Sequence, residues 1–171
     1  MATMIPQTSF RTSPFLFVTP GRRPAAKPVS LVEAVQMVVQ QIEEPWLQPV
    51  ATRNASLAFC PRVMLAVLTY CYARQMYGMS EILRYLMQDK AFRKVCQSEF
   101  PNAREIETFR RQNRSVIERC LVFALRFLGE EKVATGFVTR IHETFIAEEA
   151  KRRIIMAACT DSIAPDDDCF S

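Results

Sequence analysis

Between Pro61 and Gly129 the chain meets only two residues that interrupt a helix, Gly78 and Pro101. A β architecture needs a turn every several residues and spends Gly, Pro and Asn on it, whereas here 4 Gly stand against 8 Met in 171 residues. Long stretches free of both breakers favour helix, so the expected class is all-α. Hydrophobic residues make up 49% of the chain and charged residues 23%. That balance buries enough apolar surface to offset the entropy of ordering the chain, which excludes an intrinsically disordered protein. A chain of this length suits one domain with tails.

The apolar periodicity divides the chain. Residues 1–29 hold five of the ten prolines together with Arg11, Arg22, Arg23 and Lys27; proline at that density blocks helix, so a flexible basic arm is expected. Ser30 and Glu33 form a capping-box pattern that opens a helix with Leu31, Val35, Val38, Val39 and Ile42 on one face, ending at Pro45. Trp46 and Leu47 then plug the loop against the core. Pro61 starts a helix that is apolar nearly all round, through Val63, Met64, Val67, Leu68, Cys71 and Tyr72, and Gly78 stops it. Ser80 opens the next, with Ile82, Leu83, Leu86 and Met87 inward and a break near Asp89. A short helix over 91–97 follows.

Pro101, Asn102 and Glu105 open a further helix, with Ile106 and Phe109 pointing in. Val116 to Leu128 make a strongly apolar helix that ends at Gly129. The last helix, over 131–158, turns Val133, Phe137, Ile141, Phe145 and Ile146 inward. The expected body is thus a compact multi-helix domain over 30–158 with a helix-turn-helix-like core, and 159–171 form a loose tail made acidic by Asp161 and Asp166 to Asp168.

Charge is concentrated in the middle. Residues 74–119 carry ten basic and six acidic side chains, a net +4 that equals the formal charge of the whole chain. The 6 Cys form no C-x-x-C pair, and His142 is the single histidine. Zinc-ligand spacing and a tight secreted disulfide framework are both missing, so the thiols read as small hydrophobes in a reducing cytoplasm. No apolar run approaches the roughly 18 residues of a membrane span, and the proline-broken N-terminus lacks the continuous apolar stretch of a secretory signal. A soluble, cytoplasmic protein is expected.

Three consecutive segments carry a family likeness. L-A-V-L-T-Y-C-Y-A (65–73) is followed by M-S-E-I-L-R-Y-L-M-Q-D-K-A-F-R-K-V-C (79–96) and then by P-N-A-R-E-I-E-T-F-R-R (101–111). In order, spacing and the A-F-R and F-R-R elements they resemble the N-terminal helical domain of insertion-sequence transposases whose catalytic domain is a DDE nuclease, a likeness covering 61–128. The resemblance implies binding of double-stranded DNA at the ends of a mobile element. It places Arg84, Arg93, Arg110 and Arg111 on family-like positions, to which Lys90, Lys94, Arg104 and Arg114 add neighbouring cations able to meet phosphates or guanine edges. Ala103, Glu105 and Thr108 depart from the family's His, Thr and Arg. These departures motivate a second reading, an all-α protein-interaction or dimerisation module that has lost DNA binding.

Chemistry is not expected. Metal-assisted phosphoryl transfer needs carboxylates held a few Å apart by a folded scaffold, and the family draws them from a long domain that has no room after residue 158. His142-Glu143 lacks the second His of a zinc-protease motif, and no phosphate-binding glycine loop or nucleophile elbow occurs. The expectation is a non-catalytic, stand-alone or truncated domain with no cofactor, no metal, no small-molecule substrate and no membrane partner. A homodimer is expected if the apolar surface over 115–158 exceeds what one copy can bury.

Overall fold

Six α-helices and one 3-10 turn make up the described residues of the computed structural model, which are 28, 30–49, 60–89 and 101–163; no strand occurs among them. The helices are α1 (Leu31–Gln40), α2 (Pro61–Ala73), α3 (Met79–Gln88), α4 (Ala103–Gln112), α5 (Arg114–Ala134) and α6 (Glu143–Ile163), with the 3-10 turn at Glu44–Trp46. The basic arm, the short helix over 91–97 and the acidic residues 166–168 lie outside the described residues. No helix among those described is long and apolar enough to cross a membrane.

α5 is the pillar of the domain. It packs on α1, α2, α4 and α6, because Val116, Ile117, Cys120, Leu121, Ala124, Leu125 and Phe127 give it a buried surface wider than one stripe. α2 answers with an unbroken buried run from Met64 to Ala73. A helix apolar on nearly every side has to lie between neighbours. α1 is amphipathic and covers the pair with Val35, Val38 and Val39, its first turn capped by the Ser30 hydroxyl, which accepts from the Glu33 amide at 3.3 Å.

The helix ends differ from the sequence expectation, and each difference has a local cause. α1 stops at Gln40, before Pro45, although Ile42 and Leu47 remain buried. Trp46 does not plug the loop: it is 61% exposed. α2 ends five residues before Gly78. Gln75 adopts a left-handed φ of 63°, and the Met76 and Gln75 amides donate back to the Cys71 and Tyr72 carbonyls at 2.9 and 3.1 Å, the Schellman pattern usually built on glycine.

Gly129 does not end α5. The helix runs on to Ala134 and closes in a second Schellman turn, where Gly136 has φ 77° and Phe137 donates to the Lys132 carbonyl at 2.9 Å. Gly129 is kept small for packing, because a Cβ there would stand 3.2 Å from Ile141 Cδ1. The chain therefore turns over residues 135–142 before α6 begins. The shifted start leaves Ile146 buried but exposes Phe137 at 84% and Phe145 at 66%, so these two do not point inward.

Candidate nucleic-acid interface

α4 opens on a complete capping box. The Glu105 amide donates to Asn102 Oδ1 and the Asn102 amide donates to Glu105 Oε2, both at 2.9 Å. This gives Glu105 a structural use: its carboxylate is held by the backbone at the helix N-terminus, where negative charge is favoured. Ile106 and Phe109 pin the other face of α4 into the core. A helix turns 100° per residue, so Arg104 and Arg111, seven positions apart in the sequence, fall on nearly the same outer face. Both are exposed.

Arg110 does not join them. One position round the helix from Arg111, it is 8% exposed, donates from Nη2 to the Tyr77 carbonyl at 2.7 Å and lies with its guanidinium carbon 5.4 Å from the Tyr72 ring centroid. Its charge is spent tying α4 to the segment after α2. The tandem arginines therefore divide, one serving the fold and one facing solvent.

Asn113 makes the corner between α4 and α5. It is fully buried, receives the Gln48 amide on Oδ1 at 2.8 Å and returns a bond from Nδ2 to the Gln48 carbonyl at 2.9 Å. A side-chain amide thus pairs with a backbone amide as a strand neighbour would, locking the corner to the loop after α1. Immediately beyond it Arg114, the first residue of α5, is exposed. Arg111 and Arg114 stand together on the rim of a cleft of about 510 Å³ walled by α2, α4, α5 and α6.

Arg84 is also exposed, on α3, beside Ser80 and Glu81 in a separate hollow of about 210 Å³. α3 packs against α4, but Arg84 and the cleft arginines line different depressions. Among the described residues, none of Arg84, Arg104, Arg111 and Arg114 is paired with a carboxylate. Lys90, Arg93 and Lys94 lie outside the described residues. Arg119, which sequence reasoning counted only toward net charge, is exposed and sits 6.0 Å from the centroid of the Trp46 ring.

Two further polar clusters escaped the sequence reading. Tyr85 donates to Asp89 Oδ2 at 2.5 Å and lies 3.1 Å from the Tyr70 hydroxyl, joining α3 to α2; burial, with the bond to Asp89, raises the Tyr85 pKa. On α6, Glu149 holds Arg152 and Arg153, and Arg153 Nη1 reaches the Tyr72 and Ala73 carbonyls at 2.9 and 2.8 Å. The i, i+3 and i, i+4 spacings of the Glu149 pairs are visible in sequence; the bond to α2 is not. Cys71 and Cys120 are buried thiols, and burial pushes Cys120 up to about 12.

No known family model, curated protein or solved structure matches this chain.

Proposed function

We propose that this domain binds double-stranded DNA, as the resemblance implies, and that it binds without cutting. The observation that carries the proposal is the row formed by Arg104, Arg111 and Arg114, exposed across the α4–α5 corner with no carboxylate partner among the described residues. Unpaired arginines held by a rigid corner are placed to neutralise phosphates without first breaking an ion pair. Arg104 and Arg111 are about 10 Å apart along the helix, a span of a few nucleotides of one strand. Arg84, and in sequence Lys90, Arg93 and Lys94, extend the cationic set. Arg110 supports the row by fixing α4 and makes no phosphate contact. The reading places the protein in the cytoplasm with reduced thiols.

Fluorescence anisotropy with a random duplex, titrated at several salt concentrations, tests this. Each neutralised phosphate contributes about −0.9 to the slope of log K against log salt, so four arginines give a loss of roughly 100-fold between about 50 and 200 mM. Arg104→Glu with Arg111→Glu should abolish binding with the helical circular dichroism unchanged. Absence of salt-dependent binding at micromolar protein ends the proposal.

A second reading has its own observation. Phe137, Val138 and Phe145 are exposed around the turn from α5 into α6, the kind of apolar surface that marks protein association. A self-association module would give a dimer in sedimentation that survives the double charge reversal. A monomer at high concentration removes that reading.

A further inference from the structure

Apolar residues stand on two sides of α6. Ile146, Ala150, Ile154 and Ala157 are buried against the domain, whereas Phe145, Ile155 and Met156 are 66%, 51% and 43% exposed. A helix with one neighbour needs a single apolar stripe, and a second stripe calls for a second neighbour. At 100° per residue, Phe145, Glu148, Arg152, Ile155 and Cys159 fall in one band along the outer side. Their alternating steps of three and four are those of the a and d positions of a heptad, the spacing by which one helix packs along another. Glu148, Arg152 and Cys159 are exposed like the apolar members.

The charges in the middle of the band decide what can cover it. Glu148 enters no ion pair among the described residues. Arg152 engages Glu149 through Nε and Nη2, at 2.7 and 2.9 Å, and its Nη1 has no partner among those residues. A covering helix must therefore bring a cation opposite Glu148, an anion opposite Arg152 and apolar groups at both ends. A second copy of α6 running antiparallel does so. Antiparallel helices set a positions against d positions; with the two-fold axis at the level of Ala150, Phe145 of one copy meets Ile155 of its partner and Glu148 meets the partner's Arg152. Each contact occurs twice, as in any isologous interface. A parallel pair would set Glu148 against its own copy and Arg152 against its own copy, so the charges select the antiparallel arrangement. We infer that the protein forms a homodimer through antiparallel pairing of α6, with Phe145 against Ile155 and Glu148 against Arg152 across the two-fold axis. The inference rests on the self-association reading and adds its face, direction and register.

The pairing covers about four turns of one helix and falls short of the roughly 1,600 Å² of a standard interface, so the dissociation constant should be on the order of tens of micromolar. Sedimentation equilibrium of the full chain without DNA, from about 5 to 500 µM, brackets that value. The unaltered chain should dimerise. Glu148→Lys sets a cation against the partner's Arg152, and Arg152→Glu sets a carboxylate against the partner's Glu148. Each repulsion occurs twice per dimer, so each variant should associate at least about tenfold more weakly with its circular dichroism unchanged. An equimolar mixture of the two variants restores both opposite-charge contacts in a heterodimer and should associate within about threefold of the unaltered chain. Mixing cannot repair a variant that has merely lost its fold. Weakened variants that mixing does not rescue overturn the antiparallel register, and with it the proposal. Association unchanged in both variants overturns the α6 face and leaves self-association through another surface. A monomer across the whole concentration range removes both.

Discussion

Arg153 is the side chain on which the join between α6 and α2 depends. It is 7% exposed, with Nε bonded to Glu149 at 2.6 Å and Nη1 bonded to the Tyr72 and Ala73 carbonyls. Those carbonyls belong to the last turn of α2, where Gln75 turns the backbone into the left-handed region and the helix ends; the Tyr72 carbonyl takes the Gln75 amide as well. A cation there also meets the negative end of the helix dipole. Arg153→Met keeps the length of the stem and removes the three bonds. A net hydrogen bond to a charged group is worth about 1.5–3 kcal/mol, and breaking a buried pair costs about 3–5. Because Glu149 retains Arg152, the lower part of that range applies, about 3 kcal/mol. For a domain of this size that lowers the melting temperature by roughly 10 °C. Urea unfolding followed by circular dichroism measures it directly, and a loss below about 1 kcal/mol would refute the assignment of Arg153 as a buried cross-link.

The same cluster sets an acid dependence. The hydrogen bond from Arg152, reinforced by Arg153 and opposed by burial, holds Glu149 at about 2 in place of 4.5. The unfolded chain therefore takes up this proton first as the solution is acidified. The stabilisation is complete above about pH 4.5 and is lost as the pH falls toward about 2. Arg152 is largely in water, so solvent screens part of this stabilisation. Arg152→Met should flatten most of this part of the stability profile, and Arg153→Met should reduce it less.

Further outcomes follow from other residues. Gln75→Gly should raise stability by about 0.5–1 kcal/mol in denaturant unfolding, because glycine takes the left-handed conformation without a Cβ penalty. Asn113→Ala should cost about 2–3 kcal/mol, since it strands the Gln48 amide and carbonyl at the corner; a smaller loss would show that water replaces the side chain there. In the native protein Cys120 should resist a thiol reagent at mildly alkaline pH, while the exposed Cys60 and Cys159 react. Labelling of Cys120 at a comparable rate would show that α5 is not the closed centre of the core.

Much of the candidate interface was legible before any fold was known, and the part that was not has a common cause. The exposure of Arg104 and Arg111 follows from their spacing around Ile106 and Phe109, which the core claims. The burial of Arg110 does not. It depends on the Tyr77 carbonyl, 33 residues earlier in the chain, and on Tyr72 lying beneath the guanidinium. The carboxylate of Glu105 completes a cap whose donor and acceptor both lie within three residues.

Sequence alone determined that this chain is helical and where most helices begin. Apolar steps of three and four residues, the caps at Ser30 and Asn102 and the proline at position 61 act within one turn, so their energies need no knowledge of the rest of the chain. Tertiary structure decided where helices end and which cations stay free. Gly129 and Gly136 are equally able to close α5, and the choice fell to Gly136 because Ile141 packs against the bare α-carbon of Gly129. Arg153 meets α2 across 80 residues of sequence. Such pairings become visible only when packing has brought distant segments to within hydrogen-bonding distance, and that is also what forms the cleft.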